Sequence, residues 1–285
     1  MKTIGIIPNT YKDSDFSATK EIAEWLIKKG HNPITAENIG IEKLNKTIEE
    51  VYGNSDFLLV LGGDGTILKV AKNSAITNTP IYGINFGTLG YLTDVEKHDA
   101  FIGLEKLLSG DFTIEKRMML EAKVLNTDSA DDKLIALNDI CIVRGFFGTI
   151  ITLELYINKK YINTYRSDGL IISTPTGSTA YNLSAGGPIL KPDSKMIAIT
   201  PICPHTLHNR PFVISADDEV SIKVINKRST DIVLSLDGQN PLHMKDDDVI
   251  EISASKFYTS IVRTTDLGFY DILRKKFIYT ETELE

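Results

Sequence analysis

Apolar and polar positions follow two rhythms along this chain. Over the first hundred residues, short apolar runs alternate with helical patterns. Residues 3–8 read as a buried strand. Ala18, Ile22, Ala23, Leu26 and Ile27 then fall on one helical face, with Gly30 as the stop. A short strand at 33–35 and a helix at 41–51 follow. Then come a strand at 57–61, a glycine cluster, a helix through about residue 72 and a strand at 81–84. This alternation predicts an α/β domain with a parallel, doubly wound sheet, whose ligands sit outside the carboxyl ends of the strands. Gly62 to Gly65 follow one such end, and Asn85-Phe86-Gly87 follow another.

After a helical pattern at 101–108 the texture changes. From about Phe112 to Arg263 the chain is mostly short strands rich in Ile, Val, Thr and Tyr, among them 150–157, 170–173, 196–200, 220–225, 232–236 and 249–253. Turn clusters separate them, which predicts a mostly antiparallel, β-rich domain. Residues 268–276 turn helical again. The expected division is therefore 1–100 for the α/β domain, 101–263 for the β-rich domain, and a tail, 264–285, returning to the first. Residues 128–132 read as a solvated hairpin tip.

Composition narrows the class. The 285 residues suffice for two modest cores, and the net charge of −7 argues against a nucleic-acid partner. No apolar run reaches the ~18 residues of a membrane span, and the N-terminus reads as a strand rather than a signal peptide. Cys141 and Cys203 make no disulfide framework, so a cytoplasmic location is expected.

Four segments carry candidate chemistry. In Gly62-Gly63-Asp64-Gly65-Thr66 a strand delivers bare backbone N–H groups and the positive end of the next helix to one point, a place for phosphate with one carboxylate beside it. A tight turn N-capped by Asp64 is the plainer alternative. No G-x-x-x-x-G-K-[ST] or G-x-G-x-x-G motif occurs. From Ser173 to Tyr181 six of nine residues carry hydroxyls, a poor strand and a good pocket rim, or else a solvated loop. Ser178 or Thr179 is placed to cap a helix through Leu183 that Gly186-Gly187-Pro188 ends. Asn138-Asp139 is a polar pair within an apolar strand pattern, which needs partners such as ligand hydroxyls, unless it caps a strand end. Asp237-Gly238-Gln239 reads first as a hairpin turn. Cys203, His205 and His208 lack further ligands at zinc spacing, so a loop histidine is the favoured reading of His205.

Together these segments resemble the NAD kinase family. The resemblance rests on Gly62-Gly63-Asp64-Gly65-Thr66, the Asn85-x-Gly87-x-Leu89-Gly90 segment, Asn138-Asp139, Asp237-Gly-Gln239 and the run Arg166-Ser-Asp-Gly-Leu-Ile-Ile-Ser-Thr-Pro-Thr-Gly-Ser-Thr-Ala-Tyr-Asn-Leu-Ser-Ala-Gly-Gly-Pro188, in order along the whole chain. The glycine loop alone is shared with lipid kinases and phosphofructokinases; the long run is far more specific. The resemblance implies an α/β domain and a β-rich domain with NAD between them, homodimers or homotetramers, and transfer of a phosphoryl group from ATP or polyphosphate to the adenosine 2′-hydroxyl of NAD with a divalent metal, Mg²⁺.

By resemblance Asp64 is catalytic. Asp64, Gly65, Lys69, Asn138, Asp139, Thr149, Arg166, Asp168, Thr179, Ala180, Tyr181, Ser184 and Gln239 contact NAD, while Gly62, Gly63, Gly65 and Thr66 form the phosphate loop. No side-chain cluster holds the metal; it travels with the phosphates, with Asp64 as an available ligand. The chain departs from the common Asn-Glu pair at Asn138-Asp139 and places a bulky Phe86 beside the pocket. An ordinary aspartate is a weak base for an alcohol, yet it suffices when the proton leaves late in a loose transition state; metal ligation is the rival role. The rival functions are a lipid kinase of the same superfamily, against which the acidic balance counts, and a non-catalytic NAD(H)-sensing module.

Overall fold

The computed structural model describes every residue except 88–89, 126–133, 146–149, 207, 226–230 and 279–285. The expected hairpin tip at 128–132 and Thr149 therefore lie outside the described residues. The chain forms two units, Met1–Lys116 with Thr259–Glu285, and Arg117–Tyr258.

The first unit contains β1 (Thr3–Pro8), α1 (Ser17–Lys28), β2 (Asn32–Thr35), α2 (Ile48–Asn54), β3 (Phe57–Gly62), α3 (Asp64–Thr77), β4 (Ile81–Asn85), β5 (Val95–Glu96) and α4 (Ala100–Ser109). The strands run parallel in the order β2-β1-β3-β4, with β5 beside β4. Every residue of β3 and β4 is buried, as expected of parallel strands covered on both faces. Ile22 and Leu26 of α1 and Leu104 and Leu107 of α4 join Ile4 and Leu59 in one core. Thus α4, expected in the second part of the chain, packs in the first, because its apolar face belongs to this core.

Two helices differ from the pattern reading. The stretch 41–51 is not one helix. A 3₁₀ turn, Glu42–Leu44, is followed by α2, which starts at a capping box: the Glu50 N–H donates to Thr47 Oγ1 and the Thr47 N–H to Glu50 Oε2. Helix α3 runs past residue 72 to Thr77 because Ser74 and Ala75 are buried, and Asn78 in the left-handed region ends it.

The chain enters the second unit along β6 (Thr113–Leu125). It continues through β7 (Leu134–Ala136), β8 (Asp139–Arg144), β9 (Ile151–Ile157), β10 (Lys160–Ser167), β11 (Gly169–Ser173), the short α5 (Tyr181–Ser184), β12 (Met196–Ile202), β13 (Phe212–Ser215), β14 (Val220–Ile225), β15 (Ile232–Leu236) and β16 (Gln239–Met244). It leaves along β17 (Val249–Arg263), far longer than the expected 249–253, which is followed by the terminal helix α6 (Phe269–Ile278).

Within this unit β10-β9-β14-β17 pair antiparallel, as do β13-β12-β11-β8-β15-β16. Alternate residues of both sets share one core: Ile140, Ile142, Leu170 and Ile172 from one, Leu153, Leu155, Val220 and Ile222 from the other. The period of two turns Asp139, Cys141 and Val143 to the opposite face of β8, and that face lines a cavity. Among the described residues no helix is long and apolar enough to cross a membrane.

Candidate active site

In the first unit the glycine loop joins β3 to α3. Gly63, in an extended conformation, is the N-cap of α3 and provides no side-chain cap. Asp64 is therefore the first helical residue and not the cap. Its carboxylate is drawn elsewhere: Oδ2 accepts the Tyr91 N–H at 2.8 Å and Oδ1 the Leu92 N–H at 3.0 Å. Each oxygen keeps a second lone pair. Glycine is required at two places around it. A Cβ on Gly90 would strike the Asp64 carboxylate, and one on Gly62 would strike Thr66 Oγ1. Gly65 is exposed with open space around it; the Thr66 N–H of this first turn bonds the Gly63 carbonyl, and the N–H groups before it lack intrahelical partners.

The segment that holds Asp64 is itself clamped. Arg263, at the end of β17 and buried, donates from Nη2 to the Tyr91 carbonyl at 2.9 Å and from Nη1 to the Thr93 carbonyl at 2.7 Å, while Nε bonds Glu115 Oε2 at 3.1 Å. Asp94 next door accepts from the Thr264 N–H and hydroxyl. A rigid fork thus fixes the carbonyl side of residues 91–93, and the amide side of the same residues fixes Asp64.

In the second unit a cavity of about 570 Å³ is lined by Asn138, Asp139, Cys141, Val143, Arg144, Asp168, Ala180, Tyr181, Ile202, Ser235, Asp237 and Gly238. One rim is an ion pair, Arg144 Nη2 to Asp168 Oδ2 at 3.1 Å. Asp139 is buried, which raises its carboxyl above the usual range, and the Cys141 thiol donates to its Oδ1 at 3.1 Å. Burial also holds the Cys141 thiol well above its ordinary value.

Asp237 and Gly238 both occupy the left-handed region and join β15 to β16, so the hairpin reading describes the backbone. The Asp237 carboxylate also accepts the N–H groups of Leu137, Asn138 and Asp139 at 2.8, 2.7 and 3.1 Å. Its pKa is pushed up to about 6 by burial, against the pull of those three bonds. The bend before β8 therefore has its amides tied down, while the side chains of Asn138 and Asp139 face the cavity.

The hydroxyl-rich segment works from behind. Ser173, Thr174, Thr176 and Ser178 are buried rather than solvated. Thr174 Oγ1 donates to the Leu137 carbonyl at 2.6 Å, Ser173 Oγ reaches the Asn138 carbonyl, and the Thr174 N–H donates to the same carbonyl at 2.8 Å. Gly177 permits this approach, since a Cβ there would strike the Asn138 backbone. Neither Ser178 nor Thr179 caps the helix that follows. Ser178 Oγ bonds Pro175 and Leu190, Thr179 Oγ1 bonds the Thr176 carbonyl, and Ala180 is the N-cap of α5.

Residues 4–112 match the model of the ATP-NAD kinase N-terminal domain, and residues 137–264 that of the ATP-NAD kinase C-terminal domain. The NAD kinases of Caldanaerobacter subterraneus subsp. tengcongensis and of Thermoanaerobacter sp. (strain X514) are 46% and 44% identical to the chain, each over 97% of it and 99% of the relative. The chain belongs to the NAD kinase family. The crystal structure of yeast NADH kinase complexed with NADH superposes with a TM-score of 0.84 at 26% identity, covering 96% of this chain and 86% of that one. An NAD kinase from Archaeoglobus fulgidus in complex with ATP gives 0.73 at 25% identity, covering 93% and 94%.

Of the residues that the NAD kinase resemblance singled out, Asn138, Asp139, Asp168, Ala180 and Tyr181 line the cavity. Thr179, Ser184, Gln239 and Arg166 do not, and Arg166 is exposed on β10. Gly62, Gly63, Asp64, Gly65 and Thr66 gather at the β3–α3 junction, and Lys69 is exposed further along α3. Pattern reading missed Arg144 and Cys141, which only the period of two along β8 places on the cavity face, and it missed the Asp237 carboxylate as the anchor of residues 137–139. It also missed Arg263, for which no local signal exists.

Proposed function

We propose that the chain transfers the terminal phosphoryl group of ATP, or of polyphosphate, to the adenosine 2′-hydroxyl of NAD, giving NADP. The observation that carries the mechanism is Asp64, a carboxylate held by two backbone N–H groups at the start of a helix with open space at Gly65. The 2′-oxygen forms a bond to the γ-phosphorus, the bond from that phosphorus to the bridging oxygen breaks, and ADP leaves with the electron pair. The hydroxyl proton passes to Asp64. Fixing the carboxylate beforehand lowers the entropic cost of positioning, which dominates phosphoryl transfer. The α3 N-terminus and residues 62–66 cradle the donor's phosphates.

The cavity of the second unit is proposed as the nucleoside pocket, with Asn138 and Asp139 on ribose hydroxyls, Asp168 on the nicotinamide side, and Thr179, Ala180, Tyr181, Ser184 and Gln239 on the remainder of the dinucleotide. Lys69 and Arg166 are assigned to phosphate or to the pocket edge, and Thr149 to a further contact. Asn138 Oδ1, buried without a partner on the cavity lining, supports a polar ligand there. A magnesium ion is assigned to the donor's phosphates, with Asp64 as an available ligand. Such an ion would neutralise charge on the phosphates.

A cytoplasmic location is proposed from the free thiols, Cys203 being exposed. A homodimer or homotetramer is supported by the exposed Tyr161 and Ile162 on the edge strand β10.

A donor-by-acceptor matrix on purified protein tests the reading, with ATP or polyphosphate against NAD or NADH. NADP formation from NAD is expected. Binding of NAD in calorimetry with no product from any donor would mark a sensor, and absence of NAD binding would overturn the reading.

A further inference from the structure

The turn after β1 brings a cation to the glycine loop. Asn9 pins this turn: its N–H donates to the Leu61 carbonyl, its Nδ2 to Thr66 Oγ1 at 2.9 Å, and its Oδ1 accepts the N–H groups of Tyr11 and Lys12. Lys12 Nζ then lies 3.0 Å from where a side chain on Gly87 would begin, and 3.8 Å from the same point on Gly63. The nearest acid in sequence, Asp13, is committed to α1, accepting the N–H groups of Ala18 and Thr19. Lys12 makes no ion pair among the described residues. An ammonium thus stands at the N-cap of α3, the end of a helix that repels cations.

Asn85 makes the second, independent observation. It ends β4, is 1% exposed, and neither its Oδ1 nor its Nδ2 has a hydrogen-bond partner. Its Oδ1 lies 3.5 Å from the point where a side chain on Gly63 would begin. A buried amide without partners, an uncompensated cation and the free N–H groups of a helix start all meet around Gly63. Each is unfavourable alone, and an anion with several acceptor oxygens relieves the cation, the helix start and the amide's Nδ2.

We propose that Lys12 and Asn85 complete a phosphate subsite with the N-terminus of α3, and that it takes the terminal phosphate of the donor. The proposal rests on the kinase reading for the donor's identity. Lys12 supplies the charge that the glycine loop lacks. Asn85 Nδ2 donates to a phosphate oxygen, and Gly63 and Gly87 leave room for it.

The test uses the full chain with inorganic tripolyphosphate in calorimetry and ATP in steady-state kinetics. Lys12→Ala should weaken tripolyphosphate binding at least tenfold and raise the KM for ATP to match, with the NAD dissociation constant unchanged. Lys12→Arg should recover most of the loss. Asn85→Leu should weaken tripolyphosphate while the melting temperature holds or rises, as expected when an unsatisfied amide kept for a ligand is removed. Tripolyphosphate affinity and ATP KM within twofold of wild type in Lys12→Ala would overturn the subsite, even if wild type makes NADP. Lys12-dependent tripolyphosphate binding in a protein that makes no NADP would uphold the subsite and refute the kinase reading instead.

Discussion

Asp64 and Asp237, one in each unit, both grip backbone amides, and their surroundings set them to different tasks. Asp64 takes two N–H groups from residues 91 and 92, with Gly65 open beside it and Gly90 lacking a side chain to cover it. Asp237 takes three N–H groups from residues 137–139, and desolvation pushes its pKa up to about 6. Two bonds orient a carboxylate and leave lone pairs for a substrate. Three bonds at a turn on the cavity lining commit it as a strut, and its chemistry is then the stability of the loop it holds.

Four substitutions or titrations break or sharpen this contrast. Asp64→Asn should lower kcat by about 10³-fold in a coupled NADP assay, the range of a lost general base, while NAD affinity persists and stability falls by only about 1 kcal/mol. Near wild-type turnover would remove Asp64 from the chemistry. Asp237→Ala should do the reverse. It strands three amides and costs about 3 kcal/mol of unfolding free energy, read by urea denaturation, with NAD binding weakened because Asn138 loses its anchor.

The pH dependence follows from the sign of the Asp237 shift. Its folded pKa lies above the unfolded value, so the folded state holds the extra proton between about pH 4 and 6. The contribution is fully present below pH 4 and lost as pH rises through about 6, on the order of 3 kcal/mol at about 1.4 kcal/mol per unit. The stability difference between wild type and Asp237→Asn should therefore drift by that amount across this window; a flat difference would refute the shift. The smallest effect is expected at Arg263. Arg263→Lys keeps the charge but loses the fork on the carbonyls of Tyr91 and Thr93. A tenfold fall in kcat with the KM for NAD within twofold, partly restored by added guanidinium, would mark it as positioning Asp64. Equal loss in both constants would mark a general structural role.

The alternation of strand and helix made the parallel sheet legible, and the β-rich texture foretold the antiparallel strands. Those signals are local, because burial on one face imposes a period on each element. Locality also explains the misreadings. The break in 41–51 depends on a capping box that competes with a longer apolar pattern, and the boundary at residue 100 failed to see that α4 packs with Ile4 and Leu59. The hydroxyl-rich segment was recognisable as a specialised loop, but its direction was not. Thr174 turned inward to the Leu137 carbonyl, across thirty-seven positions of sequence.

By itself the sequence determined the two classes of architecture, the carboxylate in its glycine loop, and the resemblance to NAD kinases that both family models bear out. These are written in periods and contiguous motifs, which survive without knowledge of neighbours in space. Only the tertiary structure decided who holds what: Arg263 reaching back some 170 residues to the segment behind Asp64, Asp237 gripping 137–139, and Lys12 and Asn85 converging on Gly63. A hydrogen bond or a charge acts over a few ångströms whatever the separation along the chain, so partners of this kind leave no periodic trace.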